Sequence, residues 1–226
     1  MLWVWDLGFW LGSIVVAFVQ GAAVGAMLKG IPVANGQFAG HAFDWLRPFP
    51  VLTGIGMVFG YGLLGACWLV FKSEGEIREW AFSRLTWLTV GVFVVLGLAF
   101  AASLTADAGA LAQSNLRDRS WGYIFPVLGF VALLGVLIAS RRRRRDHVPF
   151  ALALLFFISS YLTLGVMLWP YMIPYSVTVA NASAPDASLG FLFYGGIIVL
   201  PVIAVYTLGV YWVFRGKTQR GDSKYG

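Results

Sequence analysis

Side chains that ligate iron or relay protons across a membrane are scarce in these 226 residues, and their positions bound the chemistry the chain can do. Haem iron takes His, Met or Cys as axial ligands, so a haem site needs suitable donors at one depth. The two histidines, His41 and His147, both fall in polar stretches between apolar runs. Met57 and Met167 lie inside apolar runs without a histidine in view, and read as ordinary core fillers. The single cysteine, Cys67, excludes an internal disulfide and falls in the apolar run Gly54–Phe71, where it reads as a small packing residue. Asp6 is the only acid within an apolar run. It sits one turn from the start, where it complements the positive end of a helix dipole or, on the sharper reading, opens a proton path. Gln20, the most interior polar side chain of that run, suits an interhelical hydrogen bond better than a ligand. Phosphate-binding loops, Gly-rich dinucleotide turns, HExxH and catalytic triads are missing from the sequence. Asn181-Ala-Ser183 matches a glycosylation acceptor only formally. The sequence thus assigns no catalytic, cofactor-binding or metal-ligating residue to this chain.

The elements that carry these residues follow from composition. The chain is 59% hydrophobic and only 12% charged, with a mean hydropathy of +0.79. A soluble domain needs more charge to cover its surface. Apolar residues come in blocks of about 20, the length a helix needs to cross the hydrocarbon core. Six spans are expected, near 4–28, 49–71, 85–104, 122–139, 148–169 and 189–214. Backbone groups in lipid must be satisfied within the segment, and no period-two alternation suggests a barrel. The fold class is therefore an all-α integral membrane protein, a six-transmembrane-helix bundle forming a single transmembrane domain over residues 1–226. A pI near 9.7 is compatible with nucleic-acid binding, but the cations cluster at the ends of apolar blocks. The lipid bilayer, and no nucleic acid, is the expected surroundings.

Lys and Arg distribution sets the orientation. One set of connections holds Lys72, Arg78, Arg84, the five residues Arg141 to Arg145, and Arg215, Lys217, Arg220 and Lys224, twelve in all. The other set holds four, Lys29, Arg47, Arg117 and Arg119. Both termini are expected in the cytoplasm, with the arginine run anchoring topology near anionic headgroups. Trp3, Trp5, Trp87, Trp121, Trp169 and Trp212 lie near proposed span ends, the depth an indole ring prefers. The outer loop from Lys29 to Pro48 includes Asn35, Gly36, His41 and Asp44, and the last, with Pro170, Pro174 and Pro185, cannot be helical throughout. Gly21 and Gly25, Gly56 and Gly60, then Gly62 and Gly65, have the small-residue spacing that lets helix backbones approach in lipid. Internal packing and a face for a partner subunit fit that spacing equally well. Pro201 should kink the last span or free a carbonyl within it.

Several ordered stretches carry a family resemblance. Trp5-Asp6-Leu7-Gly8-Phe9, Gly12-Ser13 and Gln20-Gly21 through Gly25 resemble the third span of subunit II of cytochrome bd-type quinol oxidases, in the cyanide-insensitive branch. Phe43-Asp44-Trp45-Leu46-Arg47-Pro48-Phe49, then Leu52-Thr53-Gly54, is similar to the fourth span, and Trp68-Leu69-Val70 with Lys72-Ser73-Glu74-Gly75 to the turn after it. Trp169-Pro170-Tyr171, Ala184-Pro185, Leu200-Pro201 and Tyr211-Trp212-Val213-Phe214-Arg215-Gly216-Lys217 resemble the last two spans and tail.

The resemblance implies a subunit of an inner-membrane respiratory complex that oxidises quinol and reduces dioxygen to water. It implies that haem b and haem d, with the quinol loop, belong to a partner, subunit I, and that this chain is a haem-free structural companion, inactive alone. The family's subunit II has eight spans, so this chain would correspond to the last six, lacking the N-terminal two. Met1 running at once into Leu-Trp-Val-Trp, without a cleavable leader, fits the same expectation of a shortened chain. Two other expectations compete: a small six-span permease or channel, which would need a polar lining at mid-depth, and a shortened chain that inserts but is inert.

Overall fold

The computed structural model describes residues 2–34, 37–105, 120–174, 176–214 and 216–217. Met1, Asn35, Gly36, Arg117, Arg119, Arg215, Arg220 and Lys224 lie outside the described residues. Six long helices dominate: α1 (Leu2–Leu28), α2 (Pro48–Lys72), α3 (Gly75–Thr105), α4 (Ile124–Arg142), α5 (His147–Leu168) and α6 (Asp186–Val213). A 3-10 turn, Ser120–Tyr123, leads into α4, so that all six spans are long and apolar enough to cross a membrane. The protein is a multi-pass helical membrane protein. The chain direction alternates, so Arg141 to Arg145, Lys72 and Phe214 share one end, the basic end. Lys29, Arg47 and Trp169 lie at the other.

The observed spans match the apolar runs closely, with one instructive exception. The stretch after Lys72 was expected to be a loop up to Arg84; instead only Ser73 and Glu74 separate α2 from α3. Gly75, at φ +61°, makes the reversal, a backbone region open to glycine at little cost. Glu76, Arg78, Glu79 and Arg84 are good helix formers, so the helix starts at once, with Ala81, Phe82 and Leu85 buried between them. A hydrogen bond between Thr86 and Ser140 (3.1 Å) sets the level: Thr86 faces the last turn of α4, next to Arg141. About ten residues of α3, roughly 15 Å at 1.5 Å per residue, therefore run past the end of α4 and lie beside the last turns of α2 and the start of α5. Trp87 stands well inside the helix in chain terms and is 75% exposed on its outer surface.

At the other end two small hairpins close the loops. β1 (Val33–Ala34) pairs antiparallel with β2 (Gln37–Phe38), and β3 (Tyr171–Ile173) with β4 (Val177–Thr178). Pro48 opens α2 at a position where a missing N–H costs nothing.

Packing follows the small residues. A methyl placed on Gly21 would lie 2.6 Å from Met57 Cβ, and on Gly25 it would meet the Thr53 side chain and Pro50, so α1 and α2 touch backbone to backbone here. Gly56 lies against Val95 of α3, Gly60 against Phe157 of α5, and Gly62 against Leu88 of α3. Internal packing thus accounts for five of the six singled-out glycines; Gly65 faces open space. The core lies where α2, α3, α4 and α5 meet, around Leu63, Cys67, Phe82, Leu85, Leu133 and Phe156. Cys67 is fully buried in it as a packing residue. The last helix, α6, contains Pro201 inside an unbroken helical run and buries no residue.

Candidate functional site

At the basic end the first turns of α3 carry an ionic clasp. Arg78 Nε donates to Asp146 Oδ2 (3.1 Å) and Arg78 Nη2 to Asp146 Oδ1 (2.7 Å), the two-pronged fit of a guanidinium to a carboxylate. Lys217 Nζ reaches the same carboxylate at 2.5 Å. Arg78 also pairs with Glu79, whose second oxygen accepts from Arg143 Nη1 at 2.9 Å. Both guanidinium groups lie over the Phe82 ring, at 4.8 and 5.7 Å. Arg143 ends α4 in the left-handed region (φ 48°), turning the chain so that Asp146 points back to α3. The Arg78 hydrogen bond, opposed by partial burial and helped by Lys217, holds the Asp146 carboxyl below the usual carboxylate range. An acid so committed is an anchor, not a proton carrier.

The clasp also ties down the last helix. Lys72 Nζ donates to the carbonyls of Phe214 (3.0 Å) and Gly216 (3.3 Å), and the Trp68 and Tyr211 rings meet edge to face at 6.3 Å. With Lys217 on Asp146, these contacts all lie at the basic end.

At the other end, α1, α2 and their connecting loop, with Ala102 of α3, line a half-open cavity of about 850 Å³. Asp44, in the 3-10 turn Asp44–Leu46, organises its mouth. Its Oδ2 accepts from the His41 backbone N–H (2.8 Å) and its Oδ1 from Arg47 Nη2 (2.7 Å). The His41 N–H is the chief reason the Asp44 carboxyl sits below its ordinary range, with Arg47 adding to it. Lys29 Nζ hangs 5.6 Å from the centre of the Phe49 ring.

The residues singled out by the sequence are dispersed over the molecule. Asp6 is exposed near the start of α1. Gln20 makes an interhelical hydrogen bond: Tyr61 OH donates to its Oε1 at 2.8 Å, on the outer surface of α1 and α2. His41 borders the cavity, whereas His147 opens α5 at the basic end, so the two cannot ligate one iron. Met57 is spent on the α1–α2 crossing, and Met167, in the last turn of α5, has no histidine on the helices packed against it. Among the described residues no three His, Cys, Asp or Glu converge as metal ligands. His41, His147, Met57 and Met167 are not brought together as an axial pair. Sequence patterns do not single out Asp146, Tyr61 or Lys29 as partners. Asp146 closing the only arginine run, and Lys29 and Arg47 flanking a Trp- and Phe-bearing loop, are the signals that were available.

Fold and geometry define a polytopic helical membrane protein clasped by ion pairs at one end and hollowed at the other. The chain belongs to the cytochrome bd terminal oxidase subunit II family, whose profile matches residues 2–214. It is similar to cytochrome bd-I ubiquinol oxidase subunit 2 of Escherichia coli (strain K12), 26% identical over 252 residues, covering 96% of this chain and 66% of that protein. It is similar also to cytochrome bd ubiquinol oxidase subunit 2 of Bacillus subtilis (strain 168), 28% identical, covering 97% of this chain and 65% of the relative. A probable cytochrome oxidase subunit 2 of Haemophilus influenzae is 22% identical, with 95% and 65% covered. The chain spans just under two thirds of the length of these curated relatives.

Proposed function

We propose that this chain acts as a haem-free structural subunit II of a cytochrome bd-type quinol oxidase, the membrane complex that oxidises quinol and reduces dioxygen to water. Haem b and haem d reside on the partner, subunit I, and this chain is not active alone. It forms a single transmembrane unit corresponding to the C-terminal part of subunit II, with the basic end and both termini on the cytoplasmic side of a bacterial inner membrane. The observation that carries the reading is the family match over residues 2–214, nearly the whole chain. That the Escherichia coli and Bacillus subtilis relatives are ubiquinol oxidase subunits supports the activity of the complex. The twelve-to-four division of Lys and Arg supports the orientation, and the placement of His41 and His147 at opposite ends supports haem on a companion.

The test is quinol-dependent oxygen uptake by membranes of an oxidase-deficient strain. Subunit I expressed with this chain is expected to respire, and each expressed alone is not. Equal uptake with subunit I alone would overturn the structural role; solute flux through liposomes holding only this chain would favour a permease instead.

A further inference from the structure

We propose that the cavity between α1 and α2, at the end away from the arginine run, is a binding site for one anionic phospholipid. Its phosphodiester is held by Lys29 and Arg47, and an acyl chain lies along α1. The site needs only the bilayer and does not rest on the oxidase reading.

Three observations define the ligand. First, the walls are apolar: Val19, Ala23 and Met27 from α1 line the space together with Phe38 and Phe49. At about 850 Å³ the cavity is far larger than a free inorganic anion needs and has room for a headgroup and the first part of a chain. Second, the mouth is cationic. Lys29 and Arg47 face a single carboxylate, Asp44, whose two oxygens are already taken by Arg47 and the His41 N–H. Lys29 has no carboxylate partner among the described residues; its ammonium has only the Phe49 ring beneath it. One positive charge is left uncompensated beside apolar walls, where it attracts an anion strongly. Third, the N-terminus of α2 begins at Pro48, directly after Arg47, and adds its positive partial charge at the same place. Trp45, half-buried beside Asp44, sits as an indole does at the headgroup level.

A phosphodiester supplies the complement: one negative charge, acceptor oxygens for an ammonium and a guanidinium, and acyl chains continuous with the apolar wall. An uncharged amphiphile would leave Lys29 unpaired. Free phosphate shares the head chemistry but leaves the walls bare.

The test is native mass spectrometry of the full chain released from detergent with phosphatidylglycerol, phosphatidylcholine or inorganic phosphate. Wild type is expected to retain one phosphatidylglycerol about tenfold better than phosphatidylcholine, whose quaternary ammonium brings a second positive charge to a mouth that already holds one in excess. Lys29→Gln, which breaks no ion pair, should remove that preference. Ala23→Phe, which fills the wall and leaves the charges alone, should lower retention of both lipids. Equal retention of the two lipids by wild type, or an unchanged preference in Lys29→Gln, would overturn the site. Displacement of the lipid by millimolar inorganic phosphate would overturn its lipid identity and leave an anion site only.

Discussion

Helices α2 and α6 are alike in composition and opposite in setting. They have 25 and 28 residues, both are strongly apolar, and both carry several glycines. A third of the α2 span is buried and none of α6. In α2, Gly54 meets Phe18, Gly56 meets Val95, Gly60 meets Phe157 and Gly62 meets Leu88. In α6, Gly190, Gly195 and Gly209 face open space, and Gly196 has only its own Leu200 nearby. Hydropathy puts a helix into lipid but gives it no reason to touch another helix, because lipid tails are as apolar as leucine. Close packing requires small residues opposite side chains shaped to fill them. Helix α6 instead is held by polar groups at one end, through Lys72, Lys217 and Tyr211.

The largest effect should come from the α1–α2 crossing. Gly25→Leu drives a side chain into Thr53 and Pro50, and should cost about 3 kcal/mol, the upper range for overpacking. The same change at Gly195 of α6 should cost less than about 0.5 kcal/mol, as an open surface site does. Unfolding of both variants in denaturing detergent measures the pair. Equal losses would break the contrast between the helices.

The clasp comes next. Asp146→Asn removes the acceptor shared by Arg78 and Lys217, and should cost about 1 kcal/mol, as expected for an ion pair at a wet boundary. A spin label near Phe214 should become more mobile in this variant. The sign with pH is fixed. Because the Asp146 carboxyl titrates below its ordinary value in the folded protein, its stabilisation is full at neutral pH and is lost as pH falls through that lowered value. Stability of the wild type should therefore decline on acidification more steeply than that of Asp146→Asn. Smallest is Tyr61→Phe, which deletes the hydrogen bond to Gln20 and should cost about 0.6 kcal/mol, typical of such bonds in lipid.

The number of helices and most of their ends were legible in the sequence because unbroken apolar runs have few other solutions in lipid. The start of α3 was not: Glu76, Arg78, Glu79 and Arg84 leave the apolar pattern, and a charged stretch of helix looks like a loop to hydropathy. The Gln20 hydrogen bond could be expected from depth alone, but its partner, Tyr61, lies 41 residues away with no local signal. The same holds for Arg78 and Asp146, 68 residues apart. The glycine spacing was visible, whereas which glycines find a neighbour depends on side chains of other helices. Strands as brief as Val33–Ala34 and Val177–Thr178 are too short to leave an alternating pattern.

The proposed haem-free role in a larger oxidase is tested most directly by haem stoichiometry, measured as the pyridine haemochrome of this chain purified alone and of the preparation co-expressed with subunit I. The chain alone should be colourless, and the joint preparation should carry haem b and haem d with this chain in equal proportion to its partner. One haem per polypeptide on the chain purified alone would contradict the account.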